Sequence, residues 1–145
     1  MIAVLQRVSS ANVVVEDKTI GKIDQGLMVL IGVERHDSKE TAIRLIDRLL
    51  HYRVFADNNQ KMNLSLTVTG GGLLLVPQFT LAANTKKGTR PGFSTGASPE
   101  LAETLFLFSV EYAQSIHKNV ASGKFGADMK VSLTNDGPVT FILKT

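Results

Sequence analysis

The sequence predicts one α+β domain over residues 1–145, built from a largely antiparallel β-sheet or barrel and two amphipathic helices. Short apolar or β-branched runs recur at about seven places and are separated by turn residues, which is typical of strands. Only two segments place apolar residues at helical spacing. A length of 145 residues suits a single domain with its own core. The pattern leaves open whether the sheet closes into a barrel.

The N-terminal segment predicts a hairpin followed by a buried strand. Residues 2–8 alternate in part between apolar and polar side chains, and residues 13–15 form a β-branched run. The polar residues 16–18 interrupt this run before Thr19 and Ile20, as at a hairpin turn. Residues 27–33 are then wholly apolar over the length of a strand, which indicates burial on both faces.

Two segments predict helices. Ser38 is a candidate N-cap, and apolar residues follow at helical spacing as far as Leu50, with charged residues on the opposite side. The second helix is predicted to begin with Ser98 as N-cap and Pro99 at the first helical position. Its apolar stripe comprises Ala102, Leu105, Phe106, Ala113 and Ile116.

The remaining segments predict further strands and one long loop. The strands cover residues 53–56, 73–76, 128–133 and 138–143. The strand at 73–76 follows a tight glycine connection and ends at Pro77, while residues 134–137 are predicted to turn the chain between the last two strands. Residues 82–97 carry little periodicity and hold three basic residues. Loops of this length are often functional.

The composition is that of an ordinary soluble globular protein, with 43% hydrophobic and 20% charged residues. Because cysteine is absent, a disulfide framework, a thiolate nucleophile and cysteine-ligated metal are excluded. No apolar run approaches the ~20 residues of a membrane span, and no leader is visible, so we expect a cytoplasmic location. The net charge of +3 is compatible with a polyanionic partner without requiring one.

Most standard catalytic patterns are missing. His36, His51 and His117 are scattered and fit no metal-ligand spacing, so we expect them to be structural or solvated and expect no metal site. The chain has neither a G-x-S-x-G elbow nor a phosphate-binding P-loop. No cofactor is expected.

Two short segments remain as candidate sites. Gln78, Phe79 and Thr80 follow a buried strand where it opens into the loop, a common place for backbone N–H groups to face a ligand. Thr80 is a candidate nucleophile, but no base is visible, and a hydroxyl bonded to backbone is the simpler interpretation.

The second segment is residues 135–140, with the sequence NDGPVT. A plain hairpin turn is its simplest interpretation, since these residues are common in turns. An X–Pro bond is cis in roughly 5–6% of folded cases, usually as a purposeful feature. A cis Gly137–Pro138 bond would hold two neighbouring carbonyls on one side as fixed acceptors.

Several motifs occur along the chain in a fixed order. They are MIAVLQRV at 1–8, QFTLA at 78–82, KG at 87–88, RP at 90–91 and NDGPVT at 135–140. Together they closely resemble the D-aminoacyl-tRNA deacylases, also called D-tyrosyl-tRNA deacylases, over nearly the whole chain. Any one of these motifs would be weak, whereas their collinear match is highly specific.

The resemblance implies an esterase that removes D-amino acids from tRNA and also glycine mischarged on tRNA-Ala. It implies a homodimer that binds the acceptor end of aminoacyl-tRNA, with no membrane or DNA partner, in which the Gly-Pro turn of one subunit reaches into the other's active site. The implied catalytic residues are Gln78, Phe79 and Thr80. The implied substrate-binding residues are Gly137, Pro138, Arg7 and Met129, with Arg7 helping to fix the turn.

The chain departs from the family pattern at three positions. Pro77 stands where the family usually has serine, which removes a hydroxyl and a backbone N–H and suggests that the strand is unpaired there. Asn84 replaces a common aspartate and Gly92 a common serine. We expect these two changes to alter loop detail more than chemistry.

Alternatives stay open at the level of mechanism. Thr80 is either a nucleophile or a group that positions the ester while the ribose 2′-hydroxyl assists attack, and the missing base favours the second. Chirality is expected to be read by exclusion, because an L side chain would strike the Pro138 turn. Lys86, Lys87 and Arg90 are candidate phosphate contacts, with a solvated loop face as the alternative.

Two rival functions also remain. One is a non-catalytic RNA-binding dimer, against which stands the low aromatic content of 6%. The other is a general esterase or peptidase with Thr80 as nucleophile, which would show no preference for D over L substrates.

Overall fold

The computed structural model describes residues 1–145 and centres on one long strand, β1 (Ile2–Val15). Residues 2–8 of β1 pair antiparallel with β3 (Gly26–Gly32) on one edge and with β8 (Lys130–Lys144) on the other. The β-branched end of β1 pairs antiparallel with β2 (Lys18–Ile23), as the predicted hairpin requires. The turn between them holds Glu16 and Asp17 at positive φ.

The rest of the sheet is parallel. β6 (Gly72–Pro77) lies parallel to β3, and β7 (Val120–Ser122) lies parallel to β6. Parallel neighbours need long crossover connections, and these contain the helices α1 (Lys39–His51) and α3 (Pro99–Ile116). The prediction of an α+β fold with mainly antiparallel pairing is confirmed, and the two parallel pairs are an addition to it.

The curved sheet nearly closes into a barrel because β2 returns toward β7. A Cβ built on Gly21 would lie 2.7 Å from the carbonyl oxygen of Ser122 and 3.2 Å from Cδ1 of Leu74, so only glycine permits this approach. The interior of the curve holds a small apolar cluster of Val8, Ala11, Val13, Ile23, Met28, Leu74 and Val76.

Both long helices cover the outer face of the sheet and form the larger core of 23 buried residues. Leu45 and Leu49 of α1 are fully buried there beside Phe106 of α3. The predicted caps are in place. The Ser38 N–H donates to Thr41 Oγ1 at 2.8 Å, and Ser98 Oγ accepts from the Leu101 N–H at 3.3 Å.

Short elements complete the fold. β4 (Phe55–Ala56) and β5 (Met62–Leu64) form a small hairpin, so the strand predicted at 53–56 is shorter than expected. The four-residue helix α2 (Leu66–Thr69) was not predicted, since it is a single turn that ends at Gly70 with φ +68°. None of the helices is both long and apolar enough to cross a bilayer.

The prediction of two C-terminal strands joined by a turn at 134–137 is wrong. β8 is one strand along β1, in which Gln6 pairs with Thr140 and Val8 pairs with Asn135. Residues 136–139 therefore lie opposite Arg7 alone, as a bulge within the strand. A hairpin would reverse the chain, whereas both halves of β8 stay antiparallel to β1 and keep their pairing.

Candidate active site

The Gln78–Thr80 motif lies where β6 ends, and a 3₁₀ turn (Phe79–Ala82) begins there. The Gln78 N–H donates to the carbonyl of Ile31 at 2.7 Å, which extends the β3–β6 ladder by one bond. The side-chain amide of Gln78 donates to Thr80 Oγ1 at 2.6 Å. The motif is therefore fixed to the sheet at one end while Phe79 and Thr80 are exposed.

Pro77 stays inside the sheet, so the expectation of an unpaired strand at this position is wrong on the β3 side. Its Cα lies opposite Ile31 in the parallel register. On the other side, pairing with β7 ends at Leu75 and Ser122, before Pro77 is reached. The proline is tolerated because the ladder with β3 continues through the Gln78 N–H, and no strand on the β7 side requires a donor from Pro77.

Aromatic side chains form a small hydrophobic cavity beside the motif. Phe79 is 64% exposed, and its ring centroid lies 5.3 Å from that of Phe93. Both rings line a cavity of about 60 Å³ together with Pro77, Gln78 and Phe125. Sequence reasoning missed Phe93 and Phe125. The only signal for Phe93 was a large aromatic residue inside an otherwise small and polar loop.

Met129 lies next to the Gln78 motif rather than next to the Gly137 turn. A Cβ built on Gly123 would lie 2.8 Å from the sulfur of Met129 and 3.3 Å from Cδ of Pro77. The two side chains thus meet across Gly123, in the space that a larger residue would fill. Met129 is far from Pro77 in sequence, so no local pattern could have shown this neighbour.

The second motif forms the exposed tip of the β8 bulge. The Gly137–Pro138 bond is cis, and Gly137 has φ +131°. The base of the bulge is held by Asn135, whose Oδ1 accepts from the Val139 N–H at 2.7 Å and whose Nδ2 donates to Thr140 Oγ1 at 3.0 Å. Gly137 and Pro138 themselves are exposed.

Arg7 anchors this tip from below. Its Nε donates to the carbonyl of Asp136 at 3.1 Å and lies 3.4 Å from the Asp136 carboxylate, while its Nη1 donates to the carbonyl of Val54 at 2.6 Å. The Arg7 side chain is only 14% exposed. A guanidinium held by several acceptors in a fixed fork is well suited to keep a turn in one position.

Within one chain, the Gln78 motif lies at one end of the sheet and the Gly137 turn lies near its middle, on another strand. Pro77 is level with Ala3, and the bulge is level with Arg7, four residues further along β1. They are also three strand spacings apart, because β1 and β3 lie between β8 and β6. In a flat sheet this corresponds to roughly 13 Å along and 14 Å across. One chain therefore does not bring its own two motifs together.

The three basic residues occupy the tip of an ordered loop. Asn84 and Gly92 exchange backbone hydrogen bonds of 2.7 and 3.0 Å at the base of this loop, and Asn84 Oδ1 accepts from the Lys86 N–H at 3.0 Å. The side chains of Lys86, Lys87 and Arg90 are exposed and lie in no ion pair. Both departures from the family pattern in this region fall on the base of the loop.

The histidines lie outside both motifs. His117 Nε2 lies 2.8 Å from the carbonyl of Gly71, and His51 Nδ1 lies 2.8 Å from that of Asp47. His36 is exposed. The structure holds no group of three or more His, Cys, Asp or Glu side chains placed to bind a metal ion.

Comparison with known sequences gives a match over nearly the full length. The family described as D-Tyr-tRNA(Tyr) deacylase matches residues 4–144. A D-aminoacyl-tRNA deacylase from Janthinobacterium sp. (strain Marseille) is 59% identical over 144 residues, which cover 99% of this chain and 97% of the relative. One from Pseudoalteromonas atlantica (strain T6c / ATCC BAA-1087) is 57% identical over 143 residues, which cover 99% of each.

Two solved structures share the architecture. One, described as c-Myc DNA Unwinding Element Binding Protein, has a TM-score of 0.95 and 34% identity and covers 100% of this chain and 99% of its own. Another is described as a probable eukaryotic D-amino acid tRNA deacylase, with a TM-score of 0.84 and coverage of 98% and 97%. Its identity of 20% shows a common fold and no more.

Proposed function

The chain belongs to the D-Tyr-tRNA(Tyr) deacylase family, and from that premise we propose how its two motifs act together. It is a hydrolase that cleaves the ester bond of D-aminoacyl-tRNA. The proposal adds that it works as a homodimer, that it rejects L-aminoacyl-tRNA through the Gly137–Pro138 turn of the partner, and that it also releases glycine mischarged on tRNA-Ala.

The observation that carries this proposal is the separation of the two motifs within one chain. The turn is held in place by Arg7 and Asn135, yet it lies four residues along β1 and three strand spacings away from its own Gln78 motif. A second copy can supply the missing half of the site. In a two-fold dimer the same surface of each subunit meets the other. The turn of each subunit would therefore contact the Gln78 motif of its partner.

An apolar surface lies between the two motifs, where such a two-fold axis would pass. Val4 pairs with Ile142 on one side and with Leu30 on the other, so the three side chains share one face of the sheet. Ile142 is 68% exposed and lines a groove with Val4 and Leu81. Exposed apolar patches of this kind are typical of protein–protein contacts.

Hydrolysis of the ester needs a group that stabilises the developing oxyanion. The first internal hydrogen bond of the 3₁₀ turn runs from the Leu81 N–H to the Gln78 carbonyl at 3.2 Å. The N–H groups of Phe79 and Thr80 come before this bond, so they have no acceptor within the turn and are available to a ligand. One donor placed at an oxyanion contributes about 2.7–4 kcal/mol to catalysis.

Thr80 acts as a positioning group in this scheme. The Gln78 amide donates to Thr80 Oγ1, which fixes the hydroxyl and leaves its proton free to donate to the substrate. No titratable side chain is hydrogen-bonded to this hydroxyl as a base. Attack then comes from water assisted by the ribose 2′-hydroxyl of the substrate.

Handedness is read by exclusion. The carbonyls of Gly137 and Pro138 of the partner hold the substrate ammonium, and the Phe79 N–H holds the ester carbonyl. With these two groups fixed, a D side chain points outward, whereas an L side chain collides with the turn. Glycine has no side chain to collide, so it is released as well. Arg7 contributes by fixing the turn, and Met129 by lining the site beside Pro77.

The exposed basic loop is proposed to contact the tRNA acceptor stem, since exposed cations without ion-pair partners suit phosphate contacts. RNA rather than DNA is the proposed nucleic acid, although one 34% identical structure carries a DNA-binding description. The family acts on aminoacyl-tRNA, which favours RNA. A cytoplasmic location is proposed because the substrate is a component of translation and the chain lacks cysteine.

A paired deacylation assay tests the proposal. Purified protein is mixed with D-Tyr-tRNA, L-Tyr-tRNA and glycyl-tRNA-Ala, and its mass is measured by sedimentation. We expect release of D-tyrosine and glycine, protection of the L ester, and a dimer. Equal cleavage of both enantiomers would indicate a general esterase, and binding without cleavage would indicate an RNA-binding dimer. Full activity in a monomer would refute the cross-subunit site.

A further inference from the structure

A polar groove begins beside the aromatic pair of the site and has no role in the scheme above. It has a volume of about 500 Å³, and none of its lining residues is hydrophobic. It lies between residues 34–37, which connect β3 to α1, the first turns of α1, and residues 94–95. Its lining residues include Arg35 and Arg44, together with the hydroxyl-bearing Thr41, Ser94 and Thr95.

The groove is joined rigidly to the site. The Arg35 guanidinium donates to the carbonyl of Ser94, and the Arg35 N–H donates to the carbonyl of Thr95 at 3.2 Å. The Thr95 hydroxyl donates to the carbonyl of Ala82 at the end of the 3₁₀ turn. Phe93 directly precedes this segment and packs on Phe79. The groove therefore begins one residue after the Phe93 ring of the site.

The charges of the groove leave its arginines available to a ligand. Three acidic groups line it, the side chains of Glu34 and Asp37 and the terminal carboxylate of Thr145, and the Met1 ammonium lies 3.5, 2.5 and 3.3 Å from them. Arg44 is exposed, donates no side-chain hydrogen bond and has no ion-pair partner within 4.0 Å. Its acidic neighbours along α1 are Glu40, one turn before it, and Asp47, one turn after it, and Asp47 accepts from the Tyr112 hydroxyl.

We propose that this groove binds the sugar–phosphate backbone of the single-stranded 3′ end of tRNA, with Arg44 as a direct phosphate contact and Arg35 holding the wall of the groove. The inference rests on the proposed function, since it assigns a path to the RNA that carries the ester. Guanidinium groups suit phosphate because their donors match two phosphate oxygens. The hydroxyls of Thr41 and Thr95 already donate to the carbonyls of Ser38 and Ala82, so they can accept from ribose hydroxyls, while the Ser94 hydroxyl can donate to a phosphate oxygen.

Arg44→Gln is the decisive variant, because Arg44 is exposed and makes no contact that folding needs. Lys22→Gln is the matched control, since it removes one exposed positive charge from β2, away from the groove. Arg44→Lys keeps the charge without the planar fork. Each variant is assayed with D-Tyr-tRNA and with D-tyrosyl-adenosine, an ester that carries no phosphate. Binding of uncharged tRNA and of duplex DNA is measured by fluorescence anisotropy.

We expect Arg44→Gln to raise KM for D-Tyr-tRNA about three- to tenfold with kcat retained, and to leave D-tyrosyl-adenosine unaffected. Affinity for uncharged tRNA should depend less on salt. One single-strand phosphate contact accounts for about a 2.5-fold loss between about 50 and 200 mM salt, and the variant should lose that much less than wild type. Arg44→Lys should keep the salt dependence of wild type, and Lys22→Gln should resemble wild type throughout.

Three results would overturn the inference. They are an unchanged KM and salt slope in Arg44→Gln, an equal effect on D-tyrosyl-adenosine, and an equal loss of duplex DNA binding, which would indicate general attraction of polyanions. Failure of the proposed function gives a different result from failure of this inference. In that case wild type cleaves neither ester, while the tRNA-binding comparison between wild type and Arg44→Gln still decides the role of the groove.

Discussion

Replacing Gly137 with alanine tests whether the position of a turn, rather than a reactive side chain, carries the discrimination between enantiomers. Gly137 has φ +131°, a conformation that L side chains rarely adopt. An added Cβ would lie 2.8 Å from Cγ2 of Val139 and 3.0 Å from Nη2 of Arg7. The variant therefore strains the backbone and pushes against the side chain that anchors the turn.

The size of the effect follows from these contacts. A residue held in such a φ region costs on the order of 1–3 kcal/mol, and the collision with Val139 adds to that cost. If the active conformation of the turn is destabilised by about 2–3 kcal/mol, kcat/KM for D-Tyr-tRNA falls roughly 30- to 150-fold. The bulge is exposed and outside the β1–β8 ladder, so the fold should be kept while the melting temperature falls by roughly 4–12 °C.

Gly70→Ala provides the control. Gly70 has a positive φ of +68°, but no atom lies within 4 Å of a Cβ built on it. It ends α2 and shares the backbone strain without the collision. We expect this variant to lose some stability and to keep wild-type kcat/KM. The reasoning is refuted if Gly137→Ala stays within about threefold of wild type and rejects L-Tyr-tRNA equally well.

Three further predictions follow from the site and its surroundings. Thr80→Ala should keep substantial deacylase activity in single-turnover assays, and a loss equal to that of the whole site would make Thr80 the nucleophile. Replacing the three cations of the 84–92 loop with glutamine should flatten the salt dependence of tRNA affinity, and an unchanged slope would leave them as a solvated face. The side-chain amide of Asn63 holds the pKa of Asp57 below its usual range, with help from the Lys61 N–H. This contribution to stability is therefore present above the ordinary carboxyl pKa and is lost as the pH falls through the lowered one. Melting curves at neutral and acid pH should show wild type approaching Asp57→Ala in acid, and a constant gap would contradict this.

The helices illustrate what could be predicted from local sequence. Ser38 and Ser98 begin α1 and α3 as expected, because capping depends on residues three positions away along the chain. The β1–β2 hairpin and the buried strand β3 were equally visible, since each depends on a short run of side chains. The presence of the Gln78 motif at a strand end was also local information.

The long-range pairings could not be predicted in the same way. Parallel pairing of β3 with β6 joins residues 46 positions apart, such as Gly26 and Gly72, and these two glycines permit the close approach of the strands. The NDGPVT segment has the composition of a turn, but its pairing with β1 on both sides makes it a bulge. The residue types of a segment indicate which backbone angles it tolerates. Whether the chain then reverses or continues in the same direction depends on the strand with which it pairs.

By itself, the sequence determined the α+β class, the helix starts and the identity of the motifs, because each is carried by neighbouring residues. Only the tertiary structure decided that Met129 meets Pro77 across Gly123 and that Arg7 clamps Asp136. It also decided that the bulge is separated from its own Gln78 motif by three strand spacings and four residues of β1. These relations depend on how strands are ordered and curved in space. That order is set by the packing of the whole core rather than by any segment alone.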